Sequence, residues 1–172
     1  MVASQDGSRV FSTASDGSLH IIYTSALDFS TVFEPDVLPD TVTSCQSGVT
    51  LMEIETDTSD DAKVEYALYA VTDETTAQET TSRLLAVNID GTLRWSAVLE
   101  GTVVGKPIVG ADQNTFYVVH NIPGASAQAA VVGRISVIVV DPQDGPLVAA
   151  TLPETAANAP FGPATGKTIQ QR

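Results

Sequence analysis

Residues 83–121, RLLAVNIDGTLRWSAVLEGTVVGKPIVGADQNTFYVVHN, contain the pattern that decides the fold class. Short runs rich in Val, Ile, Leu, Thr and aromatic residues alternate there with Gly, Asp and Asn, which is typical of strands joined by turns. Asp90-Gly91 is the clearest turn signal, because Asp and Gly tolerate the positive φ of a tight hairpin. The stretch therefore predicts antiparallel β-structure, and helical periodicity is nearly absent from the chain.

The same pattern continues along the chain and predicts an all-β protein. The run VIVV (137–140) is typical of a strand that is buried on both faces. The candidate strands span residues 9–14, 18–24, 48–55, 64–72, 82–89, 93–99, 106–111, 114–121, 134–141 and 146–152.

The strands repeat in a fixed order. Three segments share one form: DGSLHIIYTS from Asp16, SRLLAVNIDG from Ser82 and GRISVIVVDP from Gly133. The stretch GADQNTFYVVHN (110–121) also resembles SQDGSRVFSTA (4–14). A unit of four consecutive antiparallel strands, repeated about every 50 residues, predicts blades of a β-propeller.

Residues 83–121 resemble the PQQ-type β-propeller repeat of the quinoprotein alcohol dehydrogenase-like superfamily. The other units match less completely, since Glu34 and an apolar position near Ala149 stand roughly where Trp95 stands in the best copy. The turn glycine of the third copy is Gly145. The positions that match the repeat are Ala86, Asn88, Asp90, Gly91, Trp95, Pro107, Asp112 and Tyr117.

The resemblance implies structural roles for these positions. Trp95 is expected to pack between neighbouring blades, with ligand stacking as the alternative. Pro107 suits the entry of a strand, where its missing N–H is tolerated. The quinoprotein sites use a calcium-binding Asp and Glu, an Asp base, a stacking Trp and often adjacent cysteines, and no position of this chain can be matched to them. The repeat therefore implies a fold without carrying the activity.

The repeat divides the chain into one partial propeller domain, residues 1–172. About three four-stranded blades cannot close a ring, because propellers have four to eight blades. We expect a portion of a larger propeller, with a self-associating ring as the alternative. The expected units are the end of one blade (1–40), a blade (41–100), a second blade (101–155) and the start of the next (156–172).

Composition limits the partners. The 172 residues carry a net charge of −13, which argues against nucleic acid or an anionic membrane surface, since both need a cationic footprint. Cys45 is the only cysteine, so neither an intrachain disulfide nor a multi-cysteine metal site can form. No signal peptide or membrane-spanning apolar run is found, and the compartment is left open.

No catalytic or metal-binding residue is predicted, cofactor-binding residues stay unassigned and no cofactor is assigned. His20 and His120 are expected to be satisfied or surface-facing imidazoles, and Cys45 a small hydrophobe. The acidic stretch 53–65 departs from the EF-hand pattern and is expected to be a solvated loop rather than a calcium site.

For two turn-like segments the sequence also favours a structural explanation over a functional one. DPQDG (141–145) predicts a hairpin turn. FGPATGKT (161–168) resembles a phosphate-binding loop, but Phe161 stands where the motif needs its first glycine, and too few residues follow for the required helix.

Two functional hypotheses follow. The first is a non-catalytic propeller segment that acts as a scaffold for a protein or small-molecule ligand, or for the missing blades of a larger propeller. Its loops 72–81 and 120–133 would carry the binding, unless they are tolerated surface insertions. The second is a fragment of a PQQ-dependent dehydrogenase whose catalytic residues lie outside this chain. A WD-repeat-like propeller is disfavoured by the missing GH and WD dipeptides.

Overall fold

The computed structural model describes residues 1–26, 28–36, 38, 41–55, 63–76, 79–122, 131–141 and 145–152. These residues form strands β1 (Val2–Ala3), β2 (Arg9–Thr13), β3 (Leu19–Tyr23), β4 (Asp28–Phe33), β5 (Val42–Ser44), β6 (Thr50–Glu55), β7 (Lys63–Thr76), β8 (Glu79–Asn88), β9 (Leu93–Glu100), β10 (Thr102–Val103), β11 (Ile108–Val109), β12 (Thr115–Ile122), β13 (Val132–Asp141) and β14 (Gly145–Leu152).

The strands form three antiparallel sheets, each built from consecutive segments of the chain. Sheet I has the order β1-β2-β3-β4. Sheet II has the order β5-β7-β8-β9, and β6 also pairs with β7. Sheet III has the order β10-β12-β13-β14, and β11 also pairs with β12. In sheets II and III the first strand is therefore split into two pieces, which pair with opposite ends of the second strand.

The all-β prediction with three antiparallel units is confirmed, and the split first strand gives sheets II and III five strand segments each. No helix occurs among the described residues, and the stacked sheets are consistent with part of a β-propeller. The sequence pattern does not predict strands β1, β4, β5 and β10. The predicted loop 72–81 is instead the distal part of a long hairpin, since β7 extends to Thr76 and β8 begins at Glu79.

Sheet II lies between the other two sheets and is buried on both faces. Side chains alternate across a strand, so the buried residues 66–71 of β7 face sheet I and sheet III in turn. One core joins sheets I and II through Phe11, Leu19, Ile21, Val49, Ala67, Tyr69, Val71, Leu85 and Val87. The other joins sheets II and III through Met52, Tyr66, Leu68, Ala70, Leu84, Ala86, Trp95, Ala97, Leu99, Val103, Phe116, Val118 and Ile138.

We call the side of a sheet that faces the next sheet along the chain its forward face, and the opposite side its backward face. The forward face of sheet I carries Phe11, Leu19 and Ile21, which pack against the backward face of sheet II. The forward face of sheet II carries Leu68, Leu84 and Ala86, which pack against the backward face of sheet III.

Two predictions from the sequence are wrong in detail. VIVV (137–140) is not buried on both faces, since Ile138 packs against sheet II while Val139 is exposed on the forward face of sheet III. Glu34 is not the counterpart of Trp95. Trp95 lies opposite Ala86, and the matching pair in sheet I is Ile21 and Ser30, so Glu34 follows the end of β4. Irregularities in the β3–β4 and β8–β9 pairings shift the sequence spacing.

Candidate functional site

Four tight turns share one arrangement of hydrogen bonds. In each, an aspartate carboxylate accepts bonds from the backbone N–H and the hydroxyl of the Ser or Thr that follows; these aspartates are Asp6, Asp16, Asp90 and Asp112. These bonds stabilise the ionised form and lower the pKa of all four carboxyls; that of Asp6 falls to about 2, chiefly because the Ser4 hydroxyl donates a further bond to it at 2.6 Å. Asp90 and Asp112 therefore close turns, as their repeat positions suggest, and the sequence signal that identifies the other two is Asp-Gly-Ser.

Gly91 joins its turn to the neighbouring sheet. Its φ is 87°, in the left-handed region that favours glycine. A Cβ at this position would collide with the Val32 carbonyl oxygen of β4 in sheet I. The glycine is required both by the turn and by the close approach of two sheets.

We expect Gly91→Ala to lower the free energy of unfolding by about 2–3 kcal/mol, because it adds a backbone clash to the strain of positive φ. Gly7→Ala is the matched control, since Gly7 has a φ of 69° and a Cβ added to it would have no neighbouring atom within 4 Å. That variant should lose only about 1 kcal/mol. Urea unfolding followed by circular dichroism measures both, and equal losses would contradict the role assigned to Val32.

The split in the first strand of sheets II and III places polar backbone between the sheets. Pro107 lies immediately before β11, where its missing N–H costs no ladder bond. Its carbonyl accepts a hydrogen bond of 2.6 Å from the Thr50 hydroxyl at the start of β6. Gly48 lies against Lys106, where a Cβ would come within 3.1 Å of the Lys106 Cβ. The split regions thus fit together and hold the two sheets in register.

His20 belongs to a small polar chain on the backward face of sheet I. Its Nε2 lies 2.8 Å from the Ser18 hydroxyl, and its Nδ1 lies 3.1 Å from the Thr31 hydroxyl. Ser18 also donates to the Asp16 carboxylate at 2.7 Å, and the imidazole stacks on Phe29 with 4.6 Å between ring centroids. Both ring nitrogens of His20 are satisfied.

His120 is buried between sheets II and III. Its Nδ1 lies 2.7 Å from the Glu100 carbonyl oxygen, and its Nε2 lies 2.9 Å from the Ser136 hydroxyl. Burial lowers the pKa of the imidazole below its ordinary value, chiefly because the charged form loses hydration.

The lowered pKa of His120 predicts a loss of stability in acid. The unfolded chain takes up a proton near pH 6.5 while the folded chain resists it, so stability falls as the pH drops below about 6.5 towards the folded pKa. His120→Gln should flatten this part of the curve of unfolding free energy against pH. Measuring that curve for both proteins from pH 7.5 to 5 tests the expectation, and identical slopes would contradict it.

The half-buried Cys45 and several buried polar groups also have structural partners. The Cys45 thiol lies 3.3 Å from the Ala70 carbonyl oxygen, and burial raises its pKa, which disfavours the reactive thiolate. The Tyr69 hydroxyl donates to the Gly17 carbonyl at 3.0 Å. Asp73, buried in the distal part of the long hairpin, forms a two-bond ion pair with Arg83.

Of the two aromatic repeat residues Trp95 and Tyr117, the first is packed between sheets and the second is exposed. Trp95 packs between sheets II and III, as expected, with its ring 5.5 Å from that of Phe116 between centroids. Tyr117 lies on the forward face of sheet III and is 40% exposed. Around it lie further apolar side chains that reach solvent in whole or in part, namely Ile108, Val119, Ile135, Val137, Val139 and Leu147. This surface, which we call the outer apolar face, is the candidate binding surface.

Several predicted segments lie wholly or partly outside the described residues: 56–62 of the acidic stretch, 77–78, 123–130, 142–144 of the DPQDG turn, FGPATGKT (161–168) and the last unit (156–172). Within the described ranges, no group of three or more His, Cys, Asp or Glu side chains is placed to hold a metal ion. The described segments also contain no helix long and apolar enough to span a membrane.

Comparison with known proteins gives no relative. No family model matches the chain, and no curated protein or solved structure matches it either. The resemblance to the PQQ-type repeat therefore stays a hypothesis that rests on the repeat residues of the chain itself, and the candidate function has to be argued from geometry.

Proposed function

We propose that this chain is a non-catalytic, PQQ-like β-propeller segment that serves as a binding or protein-interaction scaffold. The outer apolar face carries the proposal, because contiguous exposed apolar surface on a rigid sheet is characteristic of interaction sites. Tyr117 stands near its centre and Leu147, 67% exposed, at its edge. Aromatic side chains of this kind supply much of the energy at protein interfaces.

The chemistry of the described polar residues supports the same proposal. The four turn aspartates are held by Ser and Thr donors, and both histidines are hydrogen-bonded through both ring nitrogens. Cys45 is half-buried, and its raised pKa disfavours the thiolate. These groups therefore stabilise turns and cores. General acid–base or nucleophilic catalysis needs a side chain that can reach a substrate.

The alternative is a fragment of a PQQ-dependent dehydrogenase, and Trp95 offers a direct test. It is the only tryptophan of the chain, so its emission reports on it alone. We expect PQQ with calcium to leave the emission unchanged, because the ring is enclosed between sheets II and III. Saturable quenching at one equivalent of PQQ, with alcohol- or sugar-dependent dye reduction, would overturn the scaffold proposal.

A further inference from the structure

The outer apolar face repeats, position for position, two faces that are covered elsewhere in the molecule. Strand pairing makes Ile21, Ala86 and Val137 equivalent, each lying opposite Phe11, Leu68 or Tyr117 of the preceding strand. In sheets I and II these positions are almost completely buried under the next sheet. In sheet III they are uncovered to different extents, since the described part of the chain places no further sheet on that side.

The sequence of sheet III is that of a covered sheet. β7 carries the unbroken run YALYAV (66–71), and both of its faces are buried because sheets lie on either side. β13 carries a similar run, ISVIVV (135–140), interrupted by Ser136 alone, but the described residues cover only its backward face. Continuous apolar runs are typical of strands that are buried on both sides. The composition of β13 therefore fits a partner on the forward face.

The packing inside the molecule shows what kind of surface covers a forward face. In both cases it is the backward face of an antiparallel sheet, with apolar side chains mainly from the two central strands of that sheet. One backward face among the described sheets has no sheet packed on it, that of sheet I. It presents Val10 and Ile22 together with Phe29, which is 58% exposed.

We propose that the outer apolar face of sheet III binds the backward face of sheet I of a second copy of this chain. The contact continues the order in which sheet I packs on sheet II and sheet II on sheet III. It joins two different surfaces, so the association is head to tail. The inference rests on the geometry of the sheets and not on the proposed scaffold function, and either can fail without the other.

Sedimentation velocity of the full chain tests the proposal, at physiological salt so that repulsion between two copies of charge −13 is screened. Tyr117→Lys disrupts the outer apolar face of sheet III, and Phe29→Lys disrupts the backward face of sheet I. Val98→Lys is the matched control, because Val98 is 64% exposed on β9 of sheet II and so lies outside both proposed contact surfaces. Circular dichroism establishes that all three variants fold.

The wild-type chain and the Val98→Lys variant should self-associate, and each of the other variants should do so roughly tenfold more weakly or not at all. A mixture of Tyr117→Lys and Phe29→Lys should form a one-to-one complex, because each supplies the face that the other lacks. This complementation distinguishes head-to-tail contact from pairing of two outer apolar faces.

Two results would overturn the proposal. The first is a monomeric wild-type chain up to about 100 μM, where an interface of micromolar affinity is largely occupied. The second is self-association of the Phe29→Lys variant that equals the wild type, since that would show pairing through sheet III alone. A monomeric chain that also binds no PQQ would leave the scaffold function standing with a different partner.

Discussion

Trp95→Ala should lower the free energy of unfolding by about 3–5 kcal/mol, a large part of the total stability of a domain this size. The indole is nearly buried between sheets II and III and packs against Phe116. Ala86 lies opposite it on β8, and Ala97 follows on the same face of β9, so small residues leave the room that the indole fills. Removing the ring leaves a cavity at the contact between two sheets, where collapse would require a whole sheet to move.

Urea unfolding followed by far-UV circular dichroism measures this loss without depending on the tryptophan itself. Leu93→Ala is the control on the same strand, because Leu93 is exposed and its removal should change the free energy of unfolding by no more than about 0.5 kcal/mol. A loss below about 1 kcal/mol for Trp95→Ala would contradict the assigned packing.

Arg83→Ala should destabilise the chain by about 3–5 kcal/mol, because it leaves the Asp73 carboxylate buried without its cation. In the native structure Arg83 Nε lies 2.6 Å from Asp73 Oδ2, and Nη2 lies 3.0 Å from Oδ1. Nη2 also donates to the Asp36 carbonyl oxygen at 3.0 Å. After the substitution the Thr43 hydroxyl, at 2.6 Å, would still donate to Asp73, but a hydroxyl supplies no positive charge.

A double variant distinguishes an unpaired charge from lost packing. Replacing both partners, Arg83→Leu with Asp73→Leu, should recover most of the stability, since an apolar pair of similar size avoids the desolvation cost. Arg94→Ala is the control for removing an arginine: its guanidinium lies over the Tyr66 ring at 5.2 Å, and the loss should stay below about 1 kcal/mol. If the double variant is as unstable as Arg83→Ala, the charge argument is wrong.

The elements that can be predicted from the sequence are those specified by local interactions. The Asp90-Gly91 turn and its two strands are recognised because the carboxylate, the glycine and Thr92 interact within three residues. β5 and β10 escape prediction, since strands of two or three residues carry no periodicity and exist through pairing with β7 and β12. β4, DFSTVF, mixes polar and aromatic residues and is defined by its pairing with β3.

The candidate surface is predictable only in part. Tyr117 is recognised as a repeat position, but its exposure depends on whether another sheet lies on it, which local sequence does not encode. Phe29 and the ion pair of Asp73 with Arg83 escape prediction, because their significance arises from contacts between distant strands. The sequence signal for the surface is the apolar run 137–140, which by itself indicates burial on both faces.

The sequence by itself determined an all-β chain of repeated four-stranded units, because alternation, turn chemistry and repeat spacing act over a few residues. Only the tertiary structure decided which faces of those units are covered. Burial of a sheet face depends on the neighbour stacked on it, and sheets I, II and III have similar strand patterns but different neighbours. The same apolar position is therefore core at Ile21 and Ala86 and partly open surface at Val137.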